Sequence, residues 1–156
     1  MHFSNYQRMK KIIFILLAAG FFACKSGDKE TSKGQLTQEE KDKATKDSSN
    51  FTTIQWLDST YKDLGKVKEG QIVEVSYRFK NSGDKNLVIA NVTASCGCTV
   101  PEKPEKPFAP GKEGVIRAKF DSKGKPKGEA RKEVFVNANT KPENLIPLSF
   151  RVEITD

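Results

Sequence analysis

Residues 51–156 are predicted to fold as an all-β, antiparallel two-layer sandwich of about seven strands. Three observations lead there. Apolar residues recur with period two along several short runs. Turn-forming clusters separate those runs at short intervals. No helical period occurs between Phe51 and Asp156. About seven short strands with regular turn signals point to an immunoglobulin-like layout.

Each element follows from its own pattern. "TIQW" around Ile54 predicts an early strand, and "YKDLGKVKEG" from Tyr61 reads as strand, turn and strand entry. "IVEVSYRFK" places Val73, Val75, Tyr77 and Phe79 on one face and Glu74, Ser76, Arg78 and Lys80 on the other. "NSGDKN" is a turn. "NLVIANVTA" is a more continuous apolar run, as expected of a central strand covered on both faces. "GVIRAKFD" alternates again, with Ile116, Ala118 and Phe120 inward, and "SKGKPKGEA" is a turn-rich loop. "RKEVFVNAN" and "LIPLSFRVEI" are the last two strands, the latter with Leu148, Phe150, Val152 and Ile154 inward. The expected core rests on these aliphatics with Tyr77, Phe79, Phe120, Phe135 and Phe150, and with Trp56 as a plug, or else as an edge residue.

What precedes the sandwich reads as an address and a spacer. "MKKIIFILLAAGFFAC" sets two lysines before an apolar run from Ile12 to Ala23. The run is shorter than a membrane-spanning helix needs and matches a secretory signal peptide over residues 1–23, with Met9 a second candidate start. "FFAC" resembles a bacterial lipobox, so Cys24 is the expected lipidation site and membrane anchor. Lys25 after the cysteine favours outer-membrane sorting. "KSGDKE" resembles export tags of surface lipoproteins in Bacteroidetes-type bacteria. Residues 24–50 are rich in Lys, Glu, Asp, Ser and Thr and are expected to be a flexible charged linker. Within it, Thr37 and Glu40 form a capping-box pattern that predicts a short, marginal helix over about 38–46.

The formal charge of +7 divides along the chain. Residues 1–23 carry +3, residues 24–50 sum to zero and residues 51–156 carry +4. A surplus this small and dispersed gives no footprint for nucleic acid.

The chemistry-bearing stretch is "ASCGCTVPEKPEKPFAPGK". Cys96 and Cys98 stand outside the cytoplasm on this reading, where disulfides persist. A bond between residues two apart needs the backbone to tighten, which Gly97 is expected to permit. Four readings stay open: a structural disulfide or packed thiols, a redox-active dithiol, a soft Cu(I) or partial zinc site, and cysteine hydrolase chemistry. The last two lack partners. The single histidine, His2, and both methionines lie in the signal segment, and only a carboxylate such as Glu102 is near to help. No metal and no cofactor are therefore expected. Pro101, Pro104, Pro107 and Pro110 stiffen the next segment, with Phe108 pinning it to the core. It is expected to cross between sheets, or else to form an interaction loop. Asp58-Ser59-Thr60 resembles a short O-glycosylation signal of Bacteroidetes-type bacteria, with Ser59 as acceptor.

The markers "GKVKEG", "NSGDKNLVI", "SCGCTVPE", "APGKEG" and "FDSKGKPKG", in this order, resemble the bacterial lipoprotein family known as domain of unknown function 1573. The resemblance covers about Tyr61 to Ile154. "DLG" at Asp63–Gly65 stands where "DFG" is more usual. It implies an extracytoplasmic immunoglobulin-like module, similar in fold to domains of ciliary and sperm-protein type that mostly bind other proteins. It supplies no catalytic residue, substrate or cofactor. The expected function is therefore a non-enzymatic, membrane-tethered binding or structural module of the cell envelope, with an envelope protein or glycan as partner. The alternative is thiol-redox or Cu(I) chemistry at Cys96 and Cys98.

Overall fold

The computed structural model describes residues 34–156. The signal segment and Cys24 lie outside the described residues. Eight strands form two four-stranded sheets among them. The first sheet has the order β1-β3-β6-β5, with β1 Ile54–Trp56, β3 Ile72–Asn81, β6 Glu113–Asp121 and β5 Thr99–Glu102. The second has the order β2-β8-β7-β4, with β2 Tyr61–Lys68, β8 Leu145–Thr155, β7 Gly128–Ala138 and β4 Ile89–Ala94. The immunoglobulin-like sandwich expected from the period-two runs is the architecture observed. Its second sheet is mixed, because β2 runs parallel to β8.

The alternation sets the core. Val75, Tyr77 and Phe79 of β3 and Ile116, Ala118 and Phe120 of β6 face Val134, Val136, Leu148, Phe150, Val152 and Ile154 across the sandwich, all buried. Each such side chain contributes roughly 1.5–3 kcal/mol on leaving water. Trp56 and Phe108 meet Phe79 edge-on, at 5.8 and 5.0 Å between ring centroids. Phe135, expected in the core, is instead outside it. Val134 and Val136 take the inward positions of β7, so the residue between them points to the outer face.

Two further expectations are corrected around β4. The run "NLVIANVTA" is the edge of its sheet, paired only with β7, and not a central strand. Val88, Ile89 and Ala90 are nevertheless all buried. Ile89 belongs to the core cluster, whereas Val88 and Ala90 do not. Part of the cover over Ala90 comes from the segment expected to be flexible linker, where Gln38 Nε2 donates to Ala90 O at 3.2 Å. Helix α1, Gln38–Lys46, and a 3₁₀ turn, Ser48–Asn50, pack beside the sandwich, with α1 against β4. The capping box is formed: Thr37 Oγ1 accepts from Glu40 N–H, and Glu40 Oε2 accepts from Thr37 N–H at 2.8 Å. A polar composition thus hid a docked helix, because its inward residues are the stem of Lys41 and Thr45.

The sheet edges are each blunted differently. Strand β1 is three residues long. Strand β5 carries Pro101, which has no N–H to offer. The β2–β8 register shifts between Asp63 and Lys66, where Gly65 takes a φ of 68°. Strand β4 has α1.

Candidate functional site

The Cys-Gly-Cys stretch is the corner where the chain changes sheets. Strand β4 ends at Ala94 in the second sheet, and β5 begins at Thr99 in the first. Ser95 N–H donates to Glu133 O at 3.0 Å, Thr99 N–H to Cys96 O at 3.2 Å and Asp121 N–H to Cys98 O at 2.9 Å. Cys96 and Cys98 are joined as a disulfide, with Cα atoms 5.3 Å apart. That spacing lies inside the bridging range and is shorter than a flat strand gives, so the turn supplies the tightening. Gly97 is not what permits it. It is absent from the positive-φ glycines, and a Cβ there would meet no atom within 4 Å. Cys98 packs on the core, and Thr99 beneath the turn is buried. With each sulfur bonded to the other, neither is a thiolate available to a nucleophilic step or a soft metal.

The proline segment does not cross between sheets, because the corner has already done so. Pro101 lies in β5, opposite Ala118 of β6, and residues 103–112 link these neighbours within one sheet. Pro104 and Pro107 are half-buried and Pro110 is exposed in this loop. Phe108 does pin the loop. Its N–H and C=O exchange 2.9 Å bonds with Leu87, and its ring packs so closely that a Cβ on Gly114 would sit 2.5 Å from it. A shallow groove of about 320 Å³ runs between Lys103, Pro104, Phe108 and the Gly114–Arg117 part of β6.

Two buried asparagines that sequence reasoning passed over hold that end of the sandwich. Asn81 Nδ2 donates to Lys85 O at 2.7 Å and Phe108 O at 2.8 Å, while its Oδ1 accepts from Thr52 Oγ1 at 3.0 Å and Gly83 N–H at 3.2 Å. Asn139 Nδ2 donates to Asn50 O at 2.7 Å and Asn86 O at 2.9 Å, and its Oδ1 accepts from Val88 N–H at 2.7 Å. The available signal was positional: an asparagine closing an alternating run is placed to satisfy loop backbone groups. At the opposite end, Ser122 Oγ donates to Lys68 O or Gln71 O, and Gly124 N–H donates to Glu69. These bonds tie "FDSKGKPKG" to "GKVKEG".

Several charged groups on the sandwich are engaged in pairs. Asp58 accepts from Arg78 N–H, Nε and Nη2 and from Lys62. The Arg78 guanidinium holds its carboxyl well below the usual range. Ser59 beside it is exposed, and its Oγ accepts from Tyr61 N–H at 3.2 Å. Arg151 joins Asp63 and Glu129, lowering the pKa of Glu129. Tyr77 O–H donates to Ser149 O, and burial pushes its pKa up. No group of three or more His, Cys, Asp or Glu side chains is placed to hold a metal among the described residues.

On the outer face of the second sheet, the charged rows of Glu129, Arg131 and Arg151 give way to a more apolar part. Cross-strand register places Thr93, Phe135 and Pro147 in one row, with Asn137 and Leu145 on one side and Glu133, Ser149 and Tyr61 on the other. Leu145 is 53% exposed and Tyr61 43%.

Comparison with known proteins agrees with the fold. The family model described as protein of unknown function, DUF1573, matches residues 54–154. A protein of unknown function from Porphyromonas gingivalis W83 superposes with a TM-score of 0.60 at 17% identity, over 69% of this chain and 49% of that one. The chain thus spans about half of that protein. The PapD-like domain 7 of human CEP192 superposes with a TM-score of 0.55 at 8% identity, over 69% of this chain and 88% of the domain. The secreted serine protease VesC of Vibrio cholerae gives 0.51 at 12% identity, over 67% of this chain and 24% of that one. No curated protein matches.

Proposed function

The chain belongs to the DUF1573 family of unknown function, and from that premise we propose a membrane-tethered, extracytoplasmic immunoglobulin-like module that acts by binding or bracing in the cell envelope, not as an enzyme. The observation that carries this reading is the employment of its reactive side chains. Cys96 and Cys98 close a sheet corner, Asp58 is fastened by Arg78 and Lys62, and the buried Lys41 meets Glu105. Each acts as a fastener. The Met9–Cys24 address supports lipid on Cys24 and a place in the outer membrane. The partner is an envelope protein or glycan, met by the face carrying Tyr61, Phe135, Leu145 and Pro147 or by the proline loop. Nucleic acid is not a partner, given the dispersed charge. Ser59, exposed beside an immobilised Asp58, suits an O-linked glycan.

Two measurements test the halves separately. Labelled fatty acid should enter the wild-type chain and not Cys24→Ala; no incorporation in wild type ends the tether. Immobilised mature protein should retain an envelope component that Tyr61→Ser/Leu145→Ser loses. Protease treatment of the extract tells protein from glycan. If nothing is retained, or if retention ignores both this face and Phe108→Ser, the binding reading fails.

A further inference from the structure

The sandwich grips the chain in two different ways on either side of Asn50. From Asn50 onward the hold involves backbone groups. Asn139 Nδ2 bonds Asn50 O, Thr52 N–H bonds Asn139 O and Lys141 N–H bonds Thr52 O. Before Asn50, apart from the local turn bond of Phe51 N–H to Ser48 O, no backbone-to-backbone bond joins residues 34–49 to the sandwich among the described residues. Helix α1 is held instead by side chains. Lys41 Nζ meets Glu105 at 2.8 Å and Lys103 Nζ meets Gln38 Oε1 at 2.9 Å. Gln38 Nε2 meets Ala90 O at 3.2 Å and Gln35 meets Glu105 at 3.4 Å. Three of the four involve a charged partner.

The fit is also mismatched in polarity. Helix α1 packs on β4, where Gln38 reaches Ala90, a residue buried yet outside the core. The helix residues turned inward are Lys41 and Thr45, one turn apart. The helix brings only an alkyl stem and a threonine to this contact, so its own apolar share of the burial is small. A nine-residue helix is marginal once undocked, so lifting and melting coincide.

We infer that α1 is a detachable strap: it opens as a unit from β4 and the proline loop while the sandwich stays folded, changing the length of the leash. This deepens the tethered-module reading and rests on it. With α1 docked, ten residue-to-residue steps lead from Cys24 to Gly34, a span of at most about 35 Å. With α1 open the leash runs to Asn50, at most about 90 Å. The module would thus have a short and a long reach, switched by contacts to Glu105 and Lys103. Opening also bares Ala90 on the β4 edge.

Hydrogen exchange read by mass spectrometry on the whole chain tests this without a membrane, so its failure leaves the lipid reading standing. Amides of 38–46 should exchange at least about a hundredfold faster than those of β7 and β8, yet slower than in an unstructured peptide. Glu105→Gln should speed them about tenfold, since the carboxylate that both Lys41 and Gln35 meet loses its charge, with β7 and β8 unchanged. Raising salt should act in the same direction. Protection of α1 equal to that of β7 and β8 overturns the strap, as does no protection at all. An unchanged rate in Glu105→Gln overturns the proposed latch.

Discussion

The Cys96–Cys98 corner and the Asn81–Asn139 end are both places where strands hand over to loops, and they are built oppositely. The corner uses one covalent bond that closes a ring between near neighbours. The asparagine end uses two side chains that bond backbone groups of segments 27 to 89 residues away. A short ring removes little entropy from the unfolded chain. A buried amide with every partner satisfied joins distant segments and leaves costly orphans when lost. The unremarkable residue type therefore carries more of the architecture than the conspicuous one.

Removing each side of this contrast measures it. Asn139→Ala should cost the most, about 3 kcal/mol or more, because Val88 N–H and two carbonyls lose their buried partner. Denaturant midpoints on the whole chain read this directly. Cys96→Ser/Cys98→Ser should cost less, about 1–2 kcal/mol, since loop entropy for so short a ring is small. If the cysteine pair costs more than the asparagine, the corner is the principal lock and the contrast is inverted.

A smaller effect separates the fastened charges from both. The folded-state pKa of Asp58 is lowered, first by Arg78, so its contribution is present above the unfolded value and vanishes as pH falls through the folded one. Wild type should exceed Asp58→Asn in stability at about pH 6; the gap should begin to narrow below about pH 4 and close only as pH falls through the folded value, well below the usual carboxylate range. A gap that stays constant with pH would make the difference one of shape and not of charge.

Much of this was legible from period two. Val75, Tyr77, Phe79, Ile116, Phe120, Leu148 and Phe150 alternate strictly, and they are the core. Phe135 misled because its size outweighed its phase, with Val134 and Val136 on either side taking the inward positions. The Leu87–Ala90 run misled for a different reason. A strand buried on both faces reads as central, and here part of the second face is covered by a helix whose own composition reads as solvent-exposed. The two asparagines left only a positional signal, because a polar residue at a strand end looks like any turn residue until the backbone groups around it are known. The disulfide was one of several open readings. Spacing admits it, but only the turn closed by Thr99 N–H and Cys96 O brings the Cα atoms to 5.3 Å.

Gly97 is where the corner's apparent logic is most sharply at risk, and its expected effect is the smallest. A glycine between two cysteines suggests a conformation that no other residue could take. Its φ lies outside the left-handed region and the space above its Cα is empty. Alanine there should add no clash and should narrow the unfolded ensemble slightly. Gly97→Ala should therefore leave the denaturant midpoint unchanged or raise it by less than about 1 kcal/mol equivalent, with the disulfide still formed by mass after alkylation. A loss above about 1 kcal/mol, or free thiols in the folded chain, would mean that the ring closes through a backbone state only glycine reaches. The corner would then depend on its sequence as strictly as the asparagine end does.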